Sequence, residues 1–248
     1  MGKTNKNDKK FGFRKFIYIG VAAVLVVGLG IGALIFDFGG QLVDDSGFEE
    51  ARPHLEQQLR MEKEHEVLMQ HIDGLREQSD IVKRLEDFDK EDGSTVIAEV
   101  NGEEILSQDL IDAEEVQKQQ FIMMGLDPES PEADQMIEEI REDILDSLIM
   151  NVILLQKVRQ EGIMVSSQEI DEQYQMIAEQ FGGEEVMEDM LEEEGMTPGD
   201  LEDEIEKQIS LQTYAEKYLE ENLDEEDLEF SEQELRRLFE QQQEMLAQ

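Results

Sequence analysis

Cysteine is absent from this 248-residue chain, which excludes disulfide staples, a thiol nucleophile and lipid attachment through an N-terminal cysteine. Histidine is nearly absent. His54, His65 and His71 are the only three, none stands in the HExxH spacing of a zinc protease helix, and all read as solvated. Basic residues are scarce: 21 Lys and Arg face 63 Asp and Glu, a net charge of −42. Such a surface repels phosphate, so nucleic acid is excluded as a partner. Aromatic residues make up only 6%, a composition that raises the question of disorder. The acids are interleaved with regularly spaced apolar residues, however, and folded helices with acidic solvent faces are the expectation. The acidity suits an exported protein in salty or alkaline surroundings, where a Debye length of about 3 Å in 1 M salt relieves self-repulsion. There is no glycine-rich phosphate loop and no GxSxG nucleophile turn, and paired carboxylates are uninformative among so many acids. The segment DFDKEDG at 87–93 has alternating acids, but its glycine is seventh where a calcium loop needs it sixth, so it reads as a hinge. No catalytic residue, metal or cofactor is expected.

What the chain does have is one charge-free apolar run, Phe16 to Phe36. Twenty-one residues at about 1.5 Å each span roughly 30 Å, the hydrocarbon thickness of a bilayer. Six basic residues and one acid precede it, a net +5, while the remainder carries −47. The positive-inside rule then leaves 1–15 as a cytoplasmic tail, 16–36 as a single-pass signal anchor in the cell membrane, and the rest as an extracytoplasmic body. The run is longer than a signal-peptide core, which favours retention; Gly30 and Gly32 flank a rival cleavage site. Gly28 and Gly32 form a GxxxG pair able to bring two such helices together.

Residues 37–94 read as a connector and helical stalk. Within 48–87, Met61, His65, Leu68, Ile72, Leu75, Ser79 and Val82 alternate by four and three, an imperfect coiled-coil seam that allows a homodimer. From Thr95 the pattern becomes VIAEV, an Asn101-Gly102 turn and EEIL, a small β-hairpin. Helices follow. Ser107 is an N-cap; Ser130-Pro131 opens the longest helix of the body, which Gly162 ends, carrying Ile137, Ile140, Ile144, Leu148, Val152 and Leu155. Ser166 with Glu169 and Ser231 with Glu234 are capping boxes, and Thr197-Pro198 is another start. The fold class is therefore mostly α, a multi-helix domain over 95–248 with one small hairpin.

The VNG hairpin with Ile105, the helix ILDSLIMNVILLQKVRQEGI, the Val165-Ser166 start after it and the Phe230-Ser231-Glu234 start together resemble the N-terminal domain of the SurA, PrsA and PpiD group of exported folding factors. The resemblance spans roughly Thr95 to Gln242. It implies a SurA-N-like fold and chaperone activity toward unfolded or partly folded exported polypeptides, some relatives being tethered by one N-terminal membrane helix. Relatives usually continue into a parvulin-type prolyl isomerase domain of about a hundred residues. This chain stops at Gln248 and has no histidine after His71, so isomerase activity is not expected.

A holdase needs an adaptable apolar surface bounded by charge, and methionine suits it. Nine of the thirteen methionines lie between Met123 and Met196. Met123 and Met124, Met187 and Met190 with Leu191, and Leu235 with Phe239 are the candidate walls of a client groove; Met136, Met150 and Met164 read as core. Two rivals stand beside the holdase: a membrane-tethered scaffold of the secretion or envelope machinery using the 61–82 seam, and an isomerase-family member that has lost its catalytic domain.

Overall fold

The computed structural model describes residues 45–246 apart from 124 and 194. The apolar run, the basic tail and the Gly28/Gly32 pair lie outside the described residues. Among the described residues no helix is long and apolar enough to cross a membrane. They form seven helices and a three-stranded sheet, and the chain divides into two compact units, one of residues 74–214 and one combining 45–73 with 215–246.

The first helix, α1 (Asp45–Gln78), continues through Pro53 but stops nine residues short of the expected end. Beyond it lies strand β1 (Ile81–Lys83), which pairs antiparallel with β2 (Val96–Val100), Ile81 opposite Val100. The predicted hairpin is therefore a three-stranded sheet, completed by β3 (Glu103–Leu106) in the order β1-β2-β3. Ile81-Val82 is β-branched, and the free edge of β2 offers backbone partners that outweigh a continued helix. Val82 thus belongs to a strand and not to a helical seam. The 87–93 segment is tied down by hydrogen bonds. Asp89 and Asp92 accept from the backbone N–H groups of Glu91 and Ser94, and the Gly93 carbonyl accepts from Gln108 N at 2.9 Å.

Asn101 and Gly102 both have positive φ, 51° and 87°, the backbone signature of a type I′ hairpin turn. At the other end of β2 the register slips between Val96 and Ala98. Consecutive residues Ile97 and Ala98 are consequently both buried, where strict alternation would turn one outward.

Helix α2 (Ser107–Met123) is started by Asp109, whose carboxylate accepts from Leu106 N at 2.7 Å. Ser107 is itself the first helical residue and is fully buried, so it is not the cap. Helix α3 (Pro131–Glu161) begins and ends as its signals require: Ser130 Oγ accepts from Ala133 N, proline follows, and Gly162 closes it at φ 67°. Its buried stripe is Ala133, Ile137, Leu145, Ile149, Ile153, Leu154 and Val158. Ile140, Ile144, Leu148, Val152 and Leu155 are half-buried flanks instead. An apolar stretch that nearly encircles the helix does not reveal by period which side meets α2 and the sheet.

The 74–214 unit also holds α4 (Ser167–Gln180), α5 (Glu184–Glu193) and the larger part of α6 (Pro198–Asn222). The Ser166–Glu169 box is complete, and Thr197 forms another with Asp200, which accepts from Thr197 N at 2.7 Å. Tyr174, Ala178, Met187, Leu191, Leu201 and Ile205 make the core of these three helices.

In the other unit the start of α1 packs on α7 (Glu232–Leu246). Phe48, Ala51, Leu55 and Leu235 are its buried core, flanked by Leu59, Phe230, Leu238 and Phe239. Phe48 and Phe239 meet edge to face at 5.7 Å. The stalk segment thus supplies half of a core whose other half lies at the far end of the sequence, and the expected boundary at Thr95 does not divide the packing. The 48/51/55 stripe at spacings of three and four was readable but overshadowed by the Met61–Val82 pattern.

Candidate functional site

A holdase surface requires apolar side chains that solvent can reach. Met187 and Leu191 are both 0% exposed, and Met190 is half-buried against the same core. They do not line an open groove. On a ten-residue amphipathic helix the i and i+4 apolar positions have one stripe to bury, and Leu201 and Ile205 of α6 cover it. Leu235 is likewise buried, and Phe239 packs beside it in the separate core of the other unit. The candidate residues are therefore not gathered at one site. Met124 lies outside the described residues, as does the side chain of Met123, which ends α2.

The apolar side chains that do reach solvent are different ones. Met61, Met69, Val82, Met164, Met176, Val186 and Met245 are the exposed large hydrophobics, and five of these seven are methionine. Met164, expected in the core, is 88% exposed. It sits between the closing Gly162 and the cap Ser166, where the backbone leaves one helix for the next. The signal available in the sequence was that position itself: connecting segments run over the surface.

Several ionisable groups tie elements of the fold together. Glu114 on α2 is buried and held by Arg141 of α3, which also lies over the Phe88 ring, and by Lys90 at 3.7 Å. Lys118 donates to Asp134 at 2.9 Å; that bond raises the lysine pKa and lowers the carboxyl. Tyr174 is the exception. Its hydroxyl is buried in the α4–α6 core without a hydrogen-bond partner, and burial, then the fields of Glu188, Glu184 and Glu202, push its pKa up. Among the described residues no group of three or more His, Asp or Glu is arranged to hold a metal ion. The histidines lie along α1, and the His71 ring stacks on Tyr218 at 3.7 Å, so His71 is not simply solvated. An open cleft is lined by Glu56, Gln57, Arg60, Leu228, Glu229 and Phe230, and its Arg60 is engaged by Glu64.

Among the described residues the exposed large hydrophobics are mostly flexible methionine side chains, on a strongly acidic chain. No curated protein and no solved structure matches the chain significantly. A family model described as the SurA-like N-terminal domain matches residues 81–215, beginning at the unexpected strand β1 and ending within α6, and a parvulin-type domain is not part of that match. With more than half its length inside that match and the sheet and helices in place, the chain belongs to the SurA-like N-terminal domain family.

Proposed function

We propose that the protein is a membrane-anchored extracytoplasmic holdase that binds unfolded or partly folded exported polypeptides without a catalytic step. The observation that carries this reading is the methionine-dominated set of exposed apolar side chains on a family scaffold of folding factors. Thioether side chains repack against varied sequences, and the surrounding carboxylates keep a loaded complex soluble. The tether is the Phe16–Phe36 run with its basic flank, which would hold the body at the outer face of the membrane where chains emerge. The full chain in lipid nanodiscs should suppress aggregation of a chemically denatured test protein at equimolar ratio. Unaltered light scattering would sink the reading. A proline-limited peptide isomerisation assay should show only the uncatalysed rate.

One observation favours a scaffold as the second reading: Met61 and Met69, eight residues apart on one face of α1, are both exposed. If they dock a partner copy, Met61→Glu with Met69→Glu should lower the mass measured by light scattering; a holdase predicts no change.

A further inference from the structure

Thioether is the only form of sulfur in this chain. It has thirteen methionines, no cysteine and no tryptophan, so a mild oxidant that reaches it meets methionine first. The fold sorts those methionines into two classes. Met187 is 0% exposed in the core of α4, α5 and α6, whereas Met164, Met245 and Met176 are 88%, 66% and 52% exposed.

The exposure of Met164 is imposed by the backbone around it. It lies in the connector between α3 and α4, and both ends of that connector are pinned: Ile163 N donates to the Val158 carbonyl at 3.2 Å, and Ser166 N donates to the Glu169 carboxylate at 2.9 Å. Ile163 and Val165 are half-buried. With both neighbours turned toward the body, the Met164 thioether is left in water. The stretch 161–206 holds seventeen Asp or Glu and no Lys or Arg, a field that repels anionic oxidants and leaves neutral ones unhindered. The two classes also differ in what an added oxygen does. On Met164 it stays hydrated; on Met187 it would put a polar S–O group into an apolar core.

We propose that Met164 is a reversible modification site whose co-reactant is a neutral peroxide. The sulfur lone pair attacks one oxygen of hydrogen peroxide, the O–O bond breaks, and the proton of the attacked oxygen passes to the departing one. Met164 is thereby oxidised by two electrons to the sulfoxide, and the peroxide is reduced to water. The chain has no thiol to reverse this, so the return step belongs to a separate dithiol reductase, which removes the oxygen as water and becomes a disulfide. Met245 and Met176 follow in order of exposure. This deepens the holdase reading and rests on it for one consequence: a sulfoxide is polar where the thioether was apolar, so oxidation weakens client holding.

The test uses the full chain in nanodiscs of saturated lipid, treated with hydrogen peroxide in the presence of a metal chelator. Mass spectrometry of proteolytic peptides gives a rate for each methionine. Met164 should oxidise within about threefold of the rate of free methionine, and Met187 at least about tenfold more slowly than Met164, because it reacts only through local opening. Circular dichroism should be unchanged when Met164 is fully converted. Sulfoxide reductases of both epimer specificities, supplied with a dithiol, should return Met164 to the thioether in the folded protein. Equal rates at Met164 and Met187, loss of helix as Met164 converts, or a Met164 sulfoxide that the reductases leave in place overturns the site. Aggregation suppression is then read as the ratio after to before a brief peroxide treatment. That ratio should fall about twofold or more in the parent and stay near unity in M164L/M176L/M245L, whose side chains are apolar but hold no sulfur to oxidise. An equal fall in both overturns the link to client holding while the peptide rates stand, and absence of suppression before any peroxide overturns the holdase reading alone.

Discussion

Arg76, in the last turn of α1, donates to Asp146 of α3 at 2.7 Å, and Lys83 of β1 pairs with the same carboxylate. One acid thereby ties the end of α1, a sheet edge and the 31-residue α3 together. Burial works to raise the Asp146 pKa, but hydrogen bonds and charge from Lys83 and Arg76 together hold it below the ordinary carboxyl value.

Because that carboxyl is depressed in the folded state, its stabilisation is present at neutral pH and lost as pH falls through the folded value. Asp146→Asn should cost about 1–2 kcal/mol at pH 7. The cost should shrink in strong acid, where the native residue is also protonated. Chemical denaturation at several pH values checks this; an undiminished difference at low pH would assign the effect to packing.

Met187 and Met176 should separate core from surface. Met187→Ala opens a cavity at a fully buried position and should cost about 2–5 kcal/mol, read as a lower thermal midpoint. Met176→Ser, at 52% exposure, should leave stability within about 0.5 kcal/mol while reducing aggregation suppression. If instead Met187→Ala retains the midpoint, the site is not packed as described.

Asn101 joins two tasks that a substitution can part. Its left-handed φ suits the turn, and its side chain accepts from Asp80 N at 2.8 Å and donates to Gln156 at 2.7 Å. Asn101→Gly keeps the first and loses the second; Asn101→Ala loses both. Denaturation midpoints should therefore fall in the order native, glycine, alanine, the last lower by about 2 kcal/mol in total.

Leu235 and Phe48 report on the second core. Leu235→Ala should cost about 2–5 kcal/mol locally, and hydrogen exchange should then quicken in α7 and the start of α1 more than in the 74–214 unit. Uniform quickening throughout would mean that the two units unfold as one.

The capping boxes at Ser166 and Ser231, the Ser130-Pro131 start, the Gly162 stop and the Asn101-Gly102 turn were all legible in the sequence, because each is settled by hydrogen bonds within about four residues or by one residue's φ. The same locality explains the misplacement at Ser107. Asp109 and Ser107 both satisfy the local pattern, and the burial of Ser107 against the preceding loop decides between them. Of the candidate site, the choice of methionine was legible but its members were not: Met187 and Met164 are chemically identical, and only their neighbours distinguish 0% from 88% exposure.

By itself, then, the sequence determined the helical class, most helix limits, the segregation of charge and the family's hairpin, since these depend on residue identity and short spacing. The tertiary structure alone decided that Ile81–Lys83 is a third strand, that Phe48 meets Phe239 across 191 positions of chain, and that Met187 is core while Met164 is surface. Periodicity names the apolar face of an element; which faces meet, and which side chains stay in water, is settled only when separate elements compete to bury them.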